Sequence, residues 1–344
     1  MKRYELAKQK GLNWQVVLVQ DCETDLKLLI IESVKNGIHY GELNKKIMSL
    51  INEAVSELDI AEIKDTVKRT LVDFASKIYL EALRLFGNRE LGEEVLLLLK
   101  YKGIKPTEKY VASLKNLPTN LPIDLPSYGY NRAVANGIYP KQYEAYINQI
   151  LDARAKPDYS DRYTLRAYVE REVRYQWQEK QLSDLTDKGI NLVWIDSHSN
   201  CSKRCQPFQG RLYSLNETEG TIDGIKYRPL SVARDIYSTT KTGKTYKNGC
   251  TSGFNCRHKL VAYKKGFKPQ TIPSQVIEKQ RFIETKQREL ERKVRQYEVR
   301  AMGWKNINRI KYDFYVTLKK KWEKDYVEFS KENNVPIYPS RLKV

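Results

Sequence analysis

The sequence predicts an α+β chain, mostly α-helical, in which long helical arms surround a small β-rich unit stapled by a metal held on Cys and His. Three observations point there. Apolar residues recur at three- and four-residue steps along much of the 344-residue chain. Four of the five cysteines, Cys201, Cys205, Cys250 and Cys256, fall between Trp194 and Gly266, together with two of the three histidines, His198 and His258. A short, partly β-branched run, INLVWIDS, leads into that segment and reads as a strand.

Residues 1–102 are expected to form an N-terminal helical region. Its start, through VVLVQDCETDLKLLIIESVKNG, mixes apolar and polar positions, and Cys22 there reads as a small buried apolar residue. From Leu43 to Phe86 the pattern is plainly helical. Ile47, Leu50, Ile51, Val55 and Leu58 mark one apolar face; Ile63, Val67, Leu71, Phe74, Ile78 and Leu85 mark the next. Gly87-Asn88 is a stop signal.

Residues 103–188 read as a connecting segment followed by a long helix. Pro106, Pro118, Pro122, Pro126 and Gly129 make the connection irregular. Tyr139 to Leu151 is a predicted helix. The long one starts near Ser160 as N-cap, shows Leu165, Tyr168, Val169, Val173 and Trp177 on its apolar face, and closes at Lys188-Gly189. Residues 189–267 are the Cys/His β-rich domain, and residues 268–344 a basic helical hairpin. In the hairpin Val276, Ile283, Leu290 and Tyr297 are spaced as a heptad seam, filled in by Val294 and Ala301 and interrupted at Gly303. Ile307, Ile310, Phe314, Leu318, Trp322, Tyr326 and Phe329 mark its second helix, which stops at Asn333-Asn334 and Pro336.

Charge points to an anionic partner. The chain carries 61 Lys/Arg against 42 Asp/Glu, a formal +19, and nucleic acid is the commonest ligand for such a surface. From Ser274 onward there are 18 basic and 10 acidic residues, so the hairpin is a candidate backbone binder. Its candidate contacts are Lys319, Lys320, Lys321, Arg292, Lys293 and Arg295. No apolar run reaches the ~18 residues of a membrane span. The opening residues lack an apolar signal core, so the chain is expected to be cytosolic when made.

The cysteine pattern favours metal over disulfides. Cys201-x3-Cys205 and Cys256-x-His258 are two short-spaced ligand pairs, 50 residues apart. A hairpin that joins them supplies the four soft or borderline ligands of a tetrahedral zinc site. The polar insert between the pairs buries little apolar surface alone, so a structural metal would supply stability there. The preferred ligands are Cys201, Cys205, Cys256 and His258, with Cys250 and His198 as substitutes.

Catalytic chemistry has less behind it. A cysteine nucleophile needs a partner base, and nothing in the spacing fixes one of the histidines beside Cys201 or Cys205. Thr242-Gly243-Lys244-Thr245 imitates a phosphate loop, but Ser238 stands where that loop needs its first glycine. His198, Asp196 and Glu217 can be assembled into a metal-dependent nuclease only without support from a spacing rule.

The residues His198, Cys205, Phe208-Gln209-Gly210 and Tyr213-Ser214, followed by Asn255-Cys256-Arg257-His258, resemble the signature of tailed-phage minor capsid proteins. That is the phage minor capsid protein 2 group, similar to the broader Mu F-like minor head proteins. Its pattern is a histidine, seven residues on a His or Cys, then aromatic-Gln-Gly, later Asn-Cys-Arg-His, and a basic helical tail. Phe208 stands where Trp is more usual, and Cys250 lies outside the pattern. The strong matches cover roughly residues 190–266. The resemblance implies a structural virion protein, located inside the capsid and assembled in the host cytoplasm. It would partner the portal and capsid or scaffold components, and it would contact packaged double-stranded DNA without sequence preference. The alternative is a metal-dependent nuclease or toxin-like effector packaged with the genome.

Overall fold

The computed structural model describes residues 3–9, 13–86, 93, 96, 140–157, 164–239, 243, 245–251, 256–269 and 271–343. The proline cluster between 103 and 130, Ser160 and Asn255 lie outside them. The chain divides into two compact units. One comprises Met1–Leu6, Val17–Ala155 and Leu290–Val344; the other comprises Ala7–Val16 and Lys156–Glu289.

The first unit is helical. After the short α1 (Arg3–Gln9), α2 (Trp14–Lys35) buries Val19, Cys22, Leu26, Ile30, Ile31 and Val34. These positions cover about half of the circumference, Trp14, Val17 and Leu28 carry apolar character round the rest, and a helix apolar on most sides belongs inside a core. Cys22 is buried as expected, and burial pushes its thiol up to about 12. Lys27 is buried in the same helix at 1% exposure, its Nζ donating to the carbonyl of Leu151 at 2.7 Å. The helices α3 (Tyr40–Glu57) and α4 (Ala61–Phe86) turn the predicted faces inward: Ile47, Ile51 and Leu58 from the first stretch, Ile63, Val67, Leu71, Phe74 and Ile78 from the second. Next in this unit comes α5 (Pro140–Asp152).

At the C-terminus lie α7 (Ser274–Trp304), which the division into units cuts at Leu290, and α8 (Arg309–Glu332), and three expectations about them change. Val276 of the expected seam is 47% exposed while Ile277 beside it is buried. Gly303 does not interrupt α7. The helix runs through it, and a Cβ there would lie 2.5 Å from the Leu151 methyls, so the missing side chain permits a close approach to α5. The buried face of α8 is also offset from the expected one. Tyr315, Tyr326 and Ser330 are buried, whereas Ile310 is 80% and Phe314 50% exposed. Polar bonds explain the offset. Tyr315 sits beside Glu144 and accepts from Asn148 Nδ2 at 2.7 Å, and Asn148 Oδ1 accepts from Trp304 Nε1 at 3.1 Å.

The second unit is built on α6 (Leu165–Asp187). Its N-cap is Thr164, whose hydroxyl accepts from Ala167 N at 3.3 Å, rather than Ser160. Its end is the expected one. Gly189 at φ 71 donates to Thr186 O, and Ile190 donates to Leu185 O, the paired bonds of a Schellman stop. Trp177 is 49% exposed instead of buried, and Gln178 takes the inner position.

A mixed five-stranded sheet follows, in spatial order β3-β4-β2-β1-β7. Its strands are β1 (Leu192–Ile195), β2 (Leu212–Ser214), β3 (Gly220–Ile222), β4 (Ile225–Pro229) and β7 (Leu260–Ala262). β1 is antiparallel to β2 and β7, with Trp194 opposite Leu212 on one side and Val261 on the other. β2 and β4 run parallel. The β3–β4 hairpin turns on Asp223-Gly224, both at positive φ, as a two-residue turn of this hand requires. A second ribbon pairs β5 (Tyr237–Thr239) with β6 (Thr245–Lys247). The described part of the polar insert is thus ordered into two ribbons.

The core of this unit joins Val193, Ile195, Tyr213, Leu230 and Leu260 to all four clustered cysteines. One edge of the sheet, β7, is met by side chains of α6. Gln181 donates to Leu260 O at 2.9 Å and accepts from Leu260 N at 3.4 Å, occupying both outward backbone groups of that residue.

Candidate metal centre

Three loops at the ends of these strands carry the thiols. The first leaves β1 and returns to β2, closed at its base by Gly210 N donating to Ile195 O at 2.8 Å. Gly210 has φ 67, and a Cβ there would meet Ser197 Oγ at 2.9 Å, so both conformation and space call for glycine. Inside this loop the amide of Cys205 donates to Ser202, and Phe208 and Gln209 donate back to Cys205 O, a tight turn that points Cys205 inward.

The second loop carries Cys250. Its position is set by Gly249, where a Cβ would lie 2.4 Å from Arg234 O and 2.5 Å from Ala233 O. These are backbone atoms that cannot swing aside. Gly249→Ala is therefore expected to destabilise this unit by about 1–3 kcal/mol, the usual cost of overpacking, and to weaken metal uptake along with it. Thermal unfolding and metal titration of that variant check this; an unchanged melting temperature sinks it.

The third loop, Cys256 to Lys259, is pinned from two sides. Asp196 N donates to Lys259 O at 3.0 Å, and Asp196 Oδ1 accepts from Lys259 N at 2.7 Å. From α6, Arg174 reaches Cys256 O at 3.4 Å and Gln178 reaches His258 O at 3.3 Å. Arg174, Gln178 and Gln181 recur at helical spacing, so one face of α6 holds the ligand-bearing strand by its backbone.

The loops bring Cys205, Cys250, Cys256 and His258 together. One ligand atom from each lies within 4.8 Å of all the others, and all four residues are buried. Cys256 Sγ accepts from Thr251 N at 2.9 Å and lies 3.3 Å from His258 Nδ1. The opposite nitrogen, Nε2, is 3.1 Å from Gln209 Oε1. Of the residues favoured by spacing, Cys205, Cys256 and His258 are in this group, and Cys250 completes it. Cys201 is buried in the same core; its thiol bonds to Ser202 O at 3.3 Å and neighbours Cys205. His198 is not in the group. Its ring lies against that of His258, tilted by 31° with centroids 4.0 Å apart.

The electrostatics are those of thiols crowded around one charge. Hydrogen bonds from Cys201, Cys250 and Cys256 hold Cys205 well below the usual thiol range. The thiols of Cys201 and Cys250 are pushed up, chiefly by their bonds to Cys205. Burial alone would lower His258, but its bonds to Cys205 and Cys256 outweigh that and raise it to about 9. His198, lacking such partners, is lowered by burial and by His258. A thiolate at Cys205 is favoured, and thiolates at Cys201 and Cys250 are resisted. A dication removes that resistance, because it favours several thiolates at once. Three thiols and one imidazole, closely spaced and buried, could hold a metal ion.

A family profile described as phage minor capsid protein 2 matches residues 127–324, more than half of the chain and including every residue of this centre. The chain belongs to the phage minor capsid protein 2 family. It is accordingly a structural phage protein of the virion. No curated protein and no solved structure matches it.

The residues on which the resemblance rests acquire roles in this geometry. Besides Cys205, Gln209, Gly210, Cys256 and His258, Phe208 packs on the core and its carbonyl accepts from Tyr213 OH at 3.1 Å. Ser214 Oγ accepts from Asn216 N at 3.1 Å and so shapes the turn after β2. Two of the three residues considered for a nuclease are occupied elsewhere: Asp196 on Lys259, and Glu217 on Ser231 N at 3.2 Å. Four of the six basic candidates of the C-terminal helices are engaged within the first unit, Lys321 by lying 5.6 Å over the Trp322 ring. Lys319 pairs with Glu298 at 3.1 Å, Lys293 lies 3.9 Å over the Trp322 ring, and Arg295 reaches Arg341 O. Arg292, Lys320 and Lys321 are exposed. Among the described residues no helix is long and apolar enough to cross a membrane.

Proposed function

We propose that this minor capsid protein is non-enzymatic, sits inside the head near the portal, contacts packaged double-stranded DNA without sequence preference, and assists head assembly or genome delivery. A structural zinc ion staples its Cys/His unit. Family membership is the observation that carries the virion role. The formal +19 and the exposed Arg292, Lys320 and Lys321 support the DNA contact. Three cysteines and one histidine in a closed, buried group support zinc, since structural zinc sites use such four-ligand sets without an open position. When bound there, zinc would supply cross-linking of the three loops and no chemistry on a substrate. Cys205, Cys250, Cys256 and His258 are its proposed ligands.

Purified protein is expected to cosediment with portal or procapsids and to bind duplex DNA with an affinity that drops at least ~10-fold between about 50 and 200 mM salt, equally for unrelated sequences. Arg292→Glu combined with Lys320→Glu should flatten that salt dependence. Failure to associate with portal, procapsid or DNA at low salt overturns the reading. So does metal-dependent cleavage of plasmid or RNA that is lost in a His258→Ala variant.

A further inference from the structure

Gln209 has a single acceptor oxygen, and two donors converge on it. His198 N lies 3.2 Å away and His258 Nε2 lies 3.1 Å away. The backbone N–H of His198 can only donate, so the atom facing it must be the amide oxygen of Gln209 rather than its nitrogen. That assignment settles the second contact. An oxygen with no proton of its own is a partner for Nε2 only if Nε2 carries the hydrogen. The neutral ring then has its lone pair on Nδ1, the atom 3.3 Å from Cys256 Sγ and turned into the thiol group. Histidine ligands to metals take their tautomer from the hydrogen bond made by the other nitrogen.

We infer that Gln209 is the positioning residue of the centre: it keeps the His258 proton on Nε2 and so presents Nδ1 to the metal. The inference rests on the proposed staple for its consequence, though not for its geometry. Gln209 and His258 are 49 residues apart and sit on different loops, so the bond also ties the Cys205 loop to the Cys256 loop before any metal binds. The ring also meets the His198 ring, tilted by 31° with centroids 4.0 Å apart, and the backbone of His198 donates to the same oxygen. His258 is thus oriented by two contacts that originate in the first loop, and its Nδ1 has little freedom to turn away from the thiols.

The test is a long-range proton–nitrogen spectrum of the histidine rings, which number only three in this chain, recorded on metal-free and zinc-loaded protein. It is paired with zinc affinities by competition against a chromophoric chelator. The expected result is a His258 whose Nε2 keeps its hydrogen in both states, while Nδ1 alone changes on zinc addition. Gln209→Leu should weaken zinc on the order of 10–100-fold, the usual effect of losing an outer hydrogen bond to a ligand. Gln209→Glu keeps an acceptor oxygen and should bind zinc within about threefold of the parent. A proton on Nδ1 of the neutral ring, or equal losses in the Leu and Glu variants, overturns the assignment. A protonated Nε2 in a chain that takes up no zinc upholds the hydrogen bond and overturns the staple, so the two failures are distinguishable.

Discussion

Chelating the metal, or replacing Cys256 with serine, is expected to lower the melting temperature of the Cys/His unit by roughly 10–20 °C, with the helical unit left standing. Structural zinc contributes its binding free energy to folding, and the loss is at least on the order of 5 kcal/mol for a site of this kind. The effect is large because the metal joins all three loops at one point, whereas the Asp196–Lys259 and Gln209–His258 bonds join only the first and the third. Cys256 meets Thr251 N and His258 Nδ1, and the Cys250 loop is placed by the backbone contact at Gly249. Far-UV circular dichroism should keep most of its helical signal, since α2 from Val17 onward and the whole of α3 to α5 lie in the other unit. Three controls sharpen the outcome. Cys250→Ser should abolish metal binding as Cys256→Ser does. Cys201→Ser should retain it, because Cys201 borders the quartet without belonging to it. Cys22→Ser should cost a little stability independently of metal. Equal melting temperatures with and without chelator would falsify the staple.

Lys27→Met is expected to stabilise the helical unit at neutral pH, on the order of 1–4 kcal/mol, as replacement of buried charge by packed apolar volume commonly does. Burial, reinforced by Arg154 and opposed by Glu23 and Asp152, drives Lys27 down to about 7. The unfolded chain holds that proton up to the ordinary lysine range near 10.4. Between those values the unfolded state carries more protons than the folded one, so stability rises with pH across that window. Below about 7 both states are protonated, and the folded chain bears the full cost of a buried ammonium. The parent should therefore gain stability from neutral to alkaline pH, and Lys27→Met should gain less. The difference between the two narrows as pH approaches 10. Denaturant unfolding at several pH values measures this. A variant less stable than the parent at pH 7 would show that the bond to Leu151 O outweighs the charge burial.

Where burial follows one period, the sequence announces it. The Ile47–Leu58 and Ile63–Ile78 faces were legible because each helix has one wet side, and the Lys188-Gly189 stop was legible because only a local turn is involved. α2 carries no such signal: its apolar residues surround the helix and a buried lysine and glutamate interrupt them. In α8 the large aliphatic and aromatic spacing selected Ile310 and Phe314, but the Glu144–Asn148–Trp304 bonds draw Tyr315 inward instead. At the centre, short spacing favours Cys201 as the partner of Cys205. Cys250 enters the quartet through Gly249 lying against Arg234 and Ala233, a long-range contact that no spacing rule reports. The motif contained Gln209 and His258, yet their hydrogen bond spans two loops and becomes visible only in three dimensions.

The Gln181 contact to Leu260 has a consequence for assembly. A strand edge with unpaired peptide groups is a template on which another chain can add a strand, and proteins brought together in an assembling particle are exposed to that hazard. The side-chain amide of Gln181 presents the same donor and acceptor as a neighbouring peptide bond and fills that slot from within the chain. The sheet is thereby closed to strand addition at Leu260.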